Sequence, residues 1–299
     1  MFCEPLSHKF CTETVQNFEK LFPFAHFDTV GMSLEGREIR LLRLGNGPLK
    51  YLIVGAHHGA EWITGLVSLH IFEVACQKLL KNGLIGGIFA ENYFEKVSLY
   101  IIPVLNPDGV ELAVSGVSRE TLLAERQIRM NGGSTDFSRW QANARGVDLN
   151  RNYNADWARG KALAGVDFGA PTRFGGQFPE SEPETRALCE LCVRENFGLA
   201  VALHSQGREI YCDYNGKEPP ISAPMALRLA QLTGYKVAKP EKIASCAGFK
   251  DWFIEQFGKP ALTIECGQGE NPLPLESFAQ ISRELTEPLL SLPLFAKLA

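Results

Sequence analysis

Apolar residues along the chain fall into two spacings. Short runs bounded by Gly, Pro, Asn or charged residues occupy 38–44 (EIRLLRL), 51–56 (YLIVGA), 97–104 (VSLYIIPV), 199–203 (LAVAL) and 261–265 (ALTIE). Runs this short and this apolar read as buried strands. Longer segments at 61–80, 183–196, 222–233 and 275–297 carry apolar residues at helical spacing. In the first of these they are Ile63, Leu66, Val67, Leu69, Ile71 and Val74. The second opens on Pro183, a good first-turn residue, with Ser181 or Glu182 as its cap. Strands alternating with helices predict an α/β fold with a largely parallel β-sheet and helices on both faces. The chain divides on this reading into a helical lead-in over 1–35 and a single α/β domain over 36–299.

Residues 115–180 break the pattern. They are rich in Gly, Asn, Arg and Asp and have little periodicity. A long irregular stretch in a compact domain is usually functional or disordered, and the content of this one favours function. The chain has 299 residues and is 45% apolar, enough for one large core. Its net charge is −4, which excludes the basic footprint of a nucleic-acid binder. No stretch approaches the roughly 18 apolar residues of a membrane span. The N-terminal segment lacks a basic stretch followed by an apolar one, so a secretory signal is not expected and the cytoplasm is the expected compartment. The 8 cysteines are then expected as free thiols. Cys189 and Cys192 form a lone CxxC at helical spacing with no second pair to complete a metal site.

The chemistry collects where strands end. YLIVGA runs into His57, His58, Gly59, Ala60 and Glu61. In open α/β sheets, ligands bind beyond the carboxyl ends of the strands. His58 and Glu61 are one turn apart and can present an imidazole nitrogen and a carboxylate to one ion. A catalytic zinc site needs three protein ligands and an open position. His204, which closes LAVAL, is the candidate third ligand. Glu265 ends ALTIE and is the candidate general base. Each residue alone is more often a hydrogen-bonded or solvated strand end, but the four together are hard to obtain by chance. His57 is left out, because adjacent residues leave a strand in opposite directions. His70 lies within a helix and is read as structural.

These residues and the segments between them resemble the zinc carboxypeptidase family of metallopeptidases. The matching pieces are HHGAEW (57–62), NPDG (106–109), GVDLNRNY (146–153), FGGQFPESEPET (174–185), LHSQG (203–207), FKDWF (249–253) and TIECG (263–267), in the family's order. GVDLNRN, SEPET, the Gln of LHSQG and ENPLP (270–274) look most like the bacterial γ-D-glutamyl-meso-diaminopimelate peptidases, which act on cell-wall muropeptides. The resemblance implies a mixed, mostly parallel sheet and one zinc ion per chain held by His58, Glu61 and His204. It implies that Glu265 takes a proton from the attacking water and later protonates the leaving amine. Asn150 and Arg151 match the pair that grips the substrate's terminal carboxylate, a task suited to the planar guanidinium fork.

Two positions depart from the digestive enzymes. There, an Arg follows the Trp upstream of GVDLNRN and helps stabilise the oxyanion; here Trp140 is followed by Gln141, whose amide donates a hydrogen bond without charge. Arg139 or Arg145 is the candidate source of that charge. The slot of the family's mobile Tyr falls near Ile243, with Tyr211 and Tyr214 as candidates to close the pocket instead. The expected activity is hydrolysis of the amide bond next to a terminal carboxylate-bearing residue, with the γ-D-Glu–diaminopimelate bond of murein peptides as its target. The expected partner is thus a peptide, with no nucleic acid or membrane. The alternatives are an ordinary metallocarboxypeptidase, a zinc N-acyl amino acid deacylase and a non-catalytic peptide-binding relative.

Overall fold

The computed structural model of the chain describes residue 2 and residues 4–118, 122–241 and 245–297. The strands are β1 (His26–Met32), β2 (Glu38–Leu44), β3 (Leu49–Val54), β4 (Leu84–Ile85), β5 (Ile88–Phe89), β6 (Val97–Ile102), β7 (Leu199–His204), β8 (Glu209–Tyr211), β9 (Lys236–Val237) and β10 (Ala261–Glu265). The helices are α1 (His8–Leu21), α2 (Ile63–Leu80), α3 (Ala90–Phe94), α4 (Pro107–Ser115), α5 (Ala124–Met130), α6 (Trp157–Ala164), α7 (Pro183–Glu195), α8 (Ser222–Thr233), α9 (Phe249–Phe257) and α10 (Phe278–Ser291). Eight strands form one mixed sheet in the order β1-β2-β6-β3-β7-β10-β8-β9, and β4-β5 is a separate small hairpin. The four central strands β6, β3, β7 and β10 are mutually parallel, so their carboxyl ends all point to one edge.

Alternation within each strand builds the layers. Tyr51, Ile53, Leu99, Ile101, Val201 and Leu203 face a core with α1, α2, α8 and α10. Leu52, Val54, Tyr100, Ile102, Ala200 and Ala202 face the other core with α7 and α9. The small side chains of Ala200 and Ala202 leave room there for the aromatic residues Phe249, Trp252 and Phe253 of α9. Contrary to the expectation from the sequence, one segment, Gly59–Leu80, which contains α2, is long and apolar enough by composition to cross a membrane. Most of it is instead buried in the core, which is why it is apolar nearly all round.

The segment 1–35 is not helical throughout. Residues 26–32 form β1, which pairs antiparallel with β2, so the sheet reaches back before Gly36. As an edge strand half open to solvent, β1 carries no apolar run that would reveal it. The segment 115–180 is irregular as expected; after α4 its described residues form only α5, α6 and one short turn of helix at Leu149–Arg151. Cys189 and Cys192 are buried thiols on α7, and all seven described cysteines are free; Cys3 lies outside the described residues.

Candidate active site and metal centre

After β3 the chain passes through Gly55, Ala56 and His57 into a tight turn, Gly59–Glu61, which leads into α2. Ala56 takes a left-handed φ of 46° and its amide donates to Thr64 Oγ1 at 2.8 Å. Three backbone segments meet at this turn. Gly59 N donates to Gln141 O at 3.0 Å and Ala60 N to Trp140 O at 2.7 Å. A Cβ on Gly59 would lie 2.2 Å from Gly109 O, so only glycine fits. The buried amide of Asn106 caps α4 through Gly109 N and donates to His57 O at 3.0 Å and Ala142 O at 3.2 Å. NPDG is therefore the clamp on the His58–Glu61 turn.

That turn aims His58 and Glu61 at the end of β7. His58 Nδ1 lies 2.8 Å from Glu61 Oε1, and His204 Nδ1 lies 3.0 Å from Glu61 Oε2. One ligand atom from each of these three residues lies within 4.8 Å of the other two, and no other such group occurs among the described residues. His57 is fully buried, with Nε2 3.2 Å from Tyr153 Oη and its ring 5.2 Å, centroid to centroid, from that of His204.

His58 Nε2 is 3.0 Å from Asp148 Oδ1. Burial opposes charge on Asp148, but His58, Arg151 and the Arg173 amide outweigh it and hold the carboxyl well below its usual range. Asp148 is therefore an acceptor and His58 Nε2 carries the proton. The Nδ1 lone pair of His58 then faces the Glu61 carboxylate, an arrangement that calls for a cation between them or a second proton on the ring. Burial opposes an imidazolium on His58, yet the neighbouring Glu61 and Asp148 carboxylates favour positive charge there and raise its pKa well above normal. Two imidazole nitrogens and one carboxylate, with a fourth direction open, suit zinc.

Strand register places the next group. Glu265 pairs with His204 across β10 and β7, and with Glu209 across β10 and β8. Burial, then the charges of Glu61 and Glu209, push the Glu265 carboxyl up to about 8, with His58 opposing. A cation in the ligand set adds positive charge and pulls it back down.

One cleft of about 830 Å³ takes in every candidate: His58, Glu61, Gln141, Asn150, Arg151, His204 and Glu265. Asn150 Oδ1 accepts from Phe249 N at the start of α9, at 3.0 Å, and Arg151 Nε lies 3.5 Å from Asp148 Oδ2. Gln141 Oε1 accepts from Thr172, which leaves its amide nitrogen as the donor. Of the two arginines considered for the oxyanion, Arg139 lines the cleft but is exposed and paired with Glu270 at 2.8 Å. Arg145 is turned away toward Glu182, at 3.5 Å. Tyr211 lines the cleft, whereas Tyr214 is buried in the core with its hydroxyl on Glu255. Ile243 lies outside the described residues. Sequence reasoning did not single out Asp148, Arg173, Glu209 or Lys239, all of which line the cleft. Asp148 alone had a signal, its place inside GVDLNRN.

The zinc carboxypeptidase family model matches residues 11–289. The chain belongs to the zinc carboxypeptidase family. It is a zinc metallopeptidase. The γ-D-glutamyl-L-diamino acid endopeptidase 1 of Lysinibacillus sphaericus is 32% identical over 270 residues, covering 90% of this chain and 67% of the relative. The fold matches that of bovine thrombin-activatable fibrinolysis inhibitor with a TM-score of 0.75 at 16% identity, over 98% of this chain and 97% of the other. It also matches murein-tripeptide amidase MpaA of Escherichia coli O157, with a TM-score of 0.54 at 19% identity, over 89% and 91%. The mixed, mostly parallel sheet and the zinc requirement expected from the sequence agree with these likenesses.

Proposed function

We propose that this metallopeptidase cuts the amide bond between γ-D-Glu and a diamino acid in murein peptides. The observation that carries the reading is that Asn150 and Arg151, a pair suited to hold a carboxylate, line the same cleft as the grouped His58, Glu61 and His204. The likeness to a γ-D-glutamyl-L-diamino acid endopeptidase supports the substrate class. Zinc held by His58, Glu61 and His204 would supply Lewis acidity toward the scissile carbonyl and toward water. Arg151 binds the terminal carboxylate of the leaving residue through its fork, and the Asn150 amide adds a hydrogen bond. Glu265 takes a proton from the attacking water and returns it to the leaving amine. The Gln141 amide nitrogen donates to the oxygen on which negative charge develops. A neutral donor gives less stabilisation there than a guanidinium, and loss of one such donor costs about 3 to 4 kcal/mol in other hydrolases.

The test is hydrolysis of L-Ala-γ-D-Glu-meso-diaminopimelate, with and without chelator, followed by mass spectrometry. Release of free diaminopimelate that stops with chelator and returns with zinc is the expected result. Faster turnover of ordinary C-terminal peptides or of N-acyl amino acids would overturn the substrate assignment.

A further inference from the structure

The leaving residue has three directions to satisfy. Its amine takes a proton from Glu265 and its α-carboxylate meets Arg151, so its side chain runs along other lining of the cleft. Part of that lining is β8, with Glu209 and Tyr211, and the segment after β9, with Lys239 and Glu241. Register puts Glu209 opposite Glu265, and Tyr211 opposite Thr263. The Tyr211 hydroxyl donates to Glu209 Oε2 at 2.7 Å, which fixes the carboxylate on the cleft wall. Among the described residues Glu209 has no ion-pair partner, unlike Glu61 and Asp148 around the same cleft. Lys239 and Glu241 line the cleft with it, and Lys239 has no ion-pair partner either among the described residues.

We propose that Glu209, held by Tyr211, is the specificity-determining residue that receives the distal ammonium of the leaving residue's side chain, with Lys239 facing a distal carboxylate where there is one. This deepens the reading above and rests on its placement of the leaving group. An apolar side chain would cover Glu209 and strip its water without replacing it. Sites built to hydrogen-bond a group reject analogues that lack it far more strongly than apolar pockets discriminate by size. The preferred leaving residues are therefore those whose side chain ends in an ammonium, and above all those ending in both an ammonium and a carboxylate.

Binding of the free amino acids tests this without relying on the acyl side of any substrate. Zinc-loaded protein is titrated calorimetrically with meso-diaminopimelate, L-lysine and L-norleucine. The first two are expected to bind at least about tenfold tighter than norleucine. In Glu209→Gln that advantage should fall to about threefold or less, with zinc content and Tm retained. Lys239→Gln should bring diaminopimelate down to the level of lysine. If Glu209→Gln does not fold, Tyr211→Phe should show the same loss of preference in part. Equal binding of norleucine in the wild type, or equal weakening of all three ligands in Glu209→Gln, would overturn the proposal. If the preference holds while no γ-D-Glu peptide is cleaved, the murein assignment falls and this one stands.

Discussion

Two walls face each other across the cleft, and they are built by different means. One carries His58, Glu61, His204 and Glu265 at or just beyond the ends of β3, β7 and β10. Parallel hydrogen bonding between those strands sets the positions, so these candidate site residues inherit the precision of the sheet. The other carries Gln141, Asp148, Asn150, Arg151 and Arg173 on chain with almost no regular structure. Buried side-chain amides take the place of a ladder there. Asn143 donates to Glu182 at 2.8 Å and accepts from Arg145 N and Val147 N, each at 3.0 Å. Asn152 donates to Gly175 O at 2.8 Å and accepts from Glu182 N at 3.2 Å. The acidic residues of SEPET thus hold the loop that carries Asn150 and Arg151. A site can be half fold and half polar network, and the two halves should fail differently.

The largest effect is expected in the strand wall. Glu265→Gln should lower turnover by about 10³ to 10⁴, since general acid and base work are lost together. Zinc stoichiometry should be unchanged, because Glu265 is not among the three grouped ligands. Single-turnover rates and metal analysis on the same preparation check both halves. Turnover near that of the wild type would remove Glu265 from the mechanism.

Asp148 joins the walls, since it stands on the loop and bonds a ligand of the sheet. If the loop wall only grips substrate, Asp148→Asn should leave metal affinity alone. The hydrogen bond to His58 Nε2 argues otherwise, and zinc affinity is expected to fall about 10- to 100-fold. Competition with a chelator of known affinity measures it. An unchanged affinity would confine the loop wall to substrate binding.

The same division decides how much could be read from the sequence. The central strands were legible because they are buried on both faces and leave continuous apolar runs, as in VSLYII. The candidate ligands were legible because they end those runs. β1 was not, since an exposed edge strand has no such run. Nor were Glu209 and Arg173, because they reach the cleft through strand register and a loop conformation, neither of which leaves a mark in local spacing. Arg139 and Arg145 looked equivalent in sequence, and only the fold turns one outward and the other toward Glu182.

Glu184 offers the gentlest way to sharpen the comparison, because it loads the loop wall without touching the ligands. It is fully buried on α7, accepting from Leu34 N at 3.2 Å and Asn143 at 3.3 Å. Burial, then the charges of Asp108 and Glu182, raise its carboxyl from the ordinary 4.5 to about 7, with backbone hydrogen bonds opposing. Between those values the folded chain keeps a proton on Glu184 that the unfolded chain has lost. Stability therefore falls as pH rises from about 4.5 to about 7, and this group adds no further slope above that. The full loss corresponds to about 3 kcal/mol. Glu184→Gln keeps an oxygen for Leu34 N and has no proton to lose, so its stability should lack this part of the slope. Urea midpoints for both proteins at pH 5, 6, 7 and 8 give the difference directly. The variant should gain on the wild type as pH rises and hold a constant lead above about 7, with the strand wall's zinc binding unchanged throughout. Parallel pH profiles would mean that Glu184 is ionised in the folded chain, and that the loop wall rests on a buried charge instead of a buried acid.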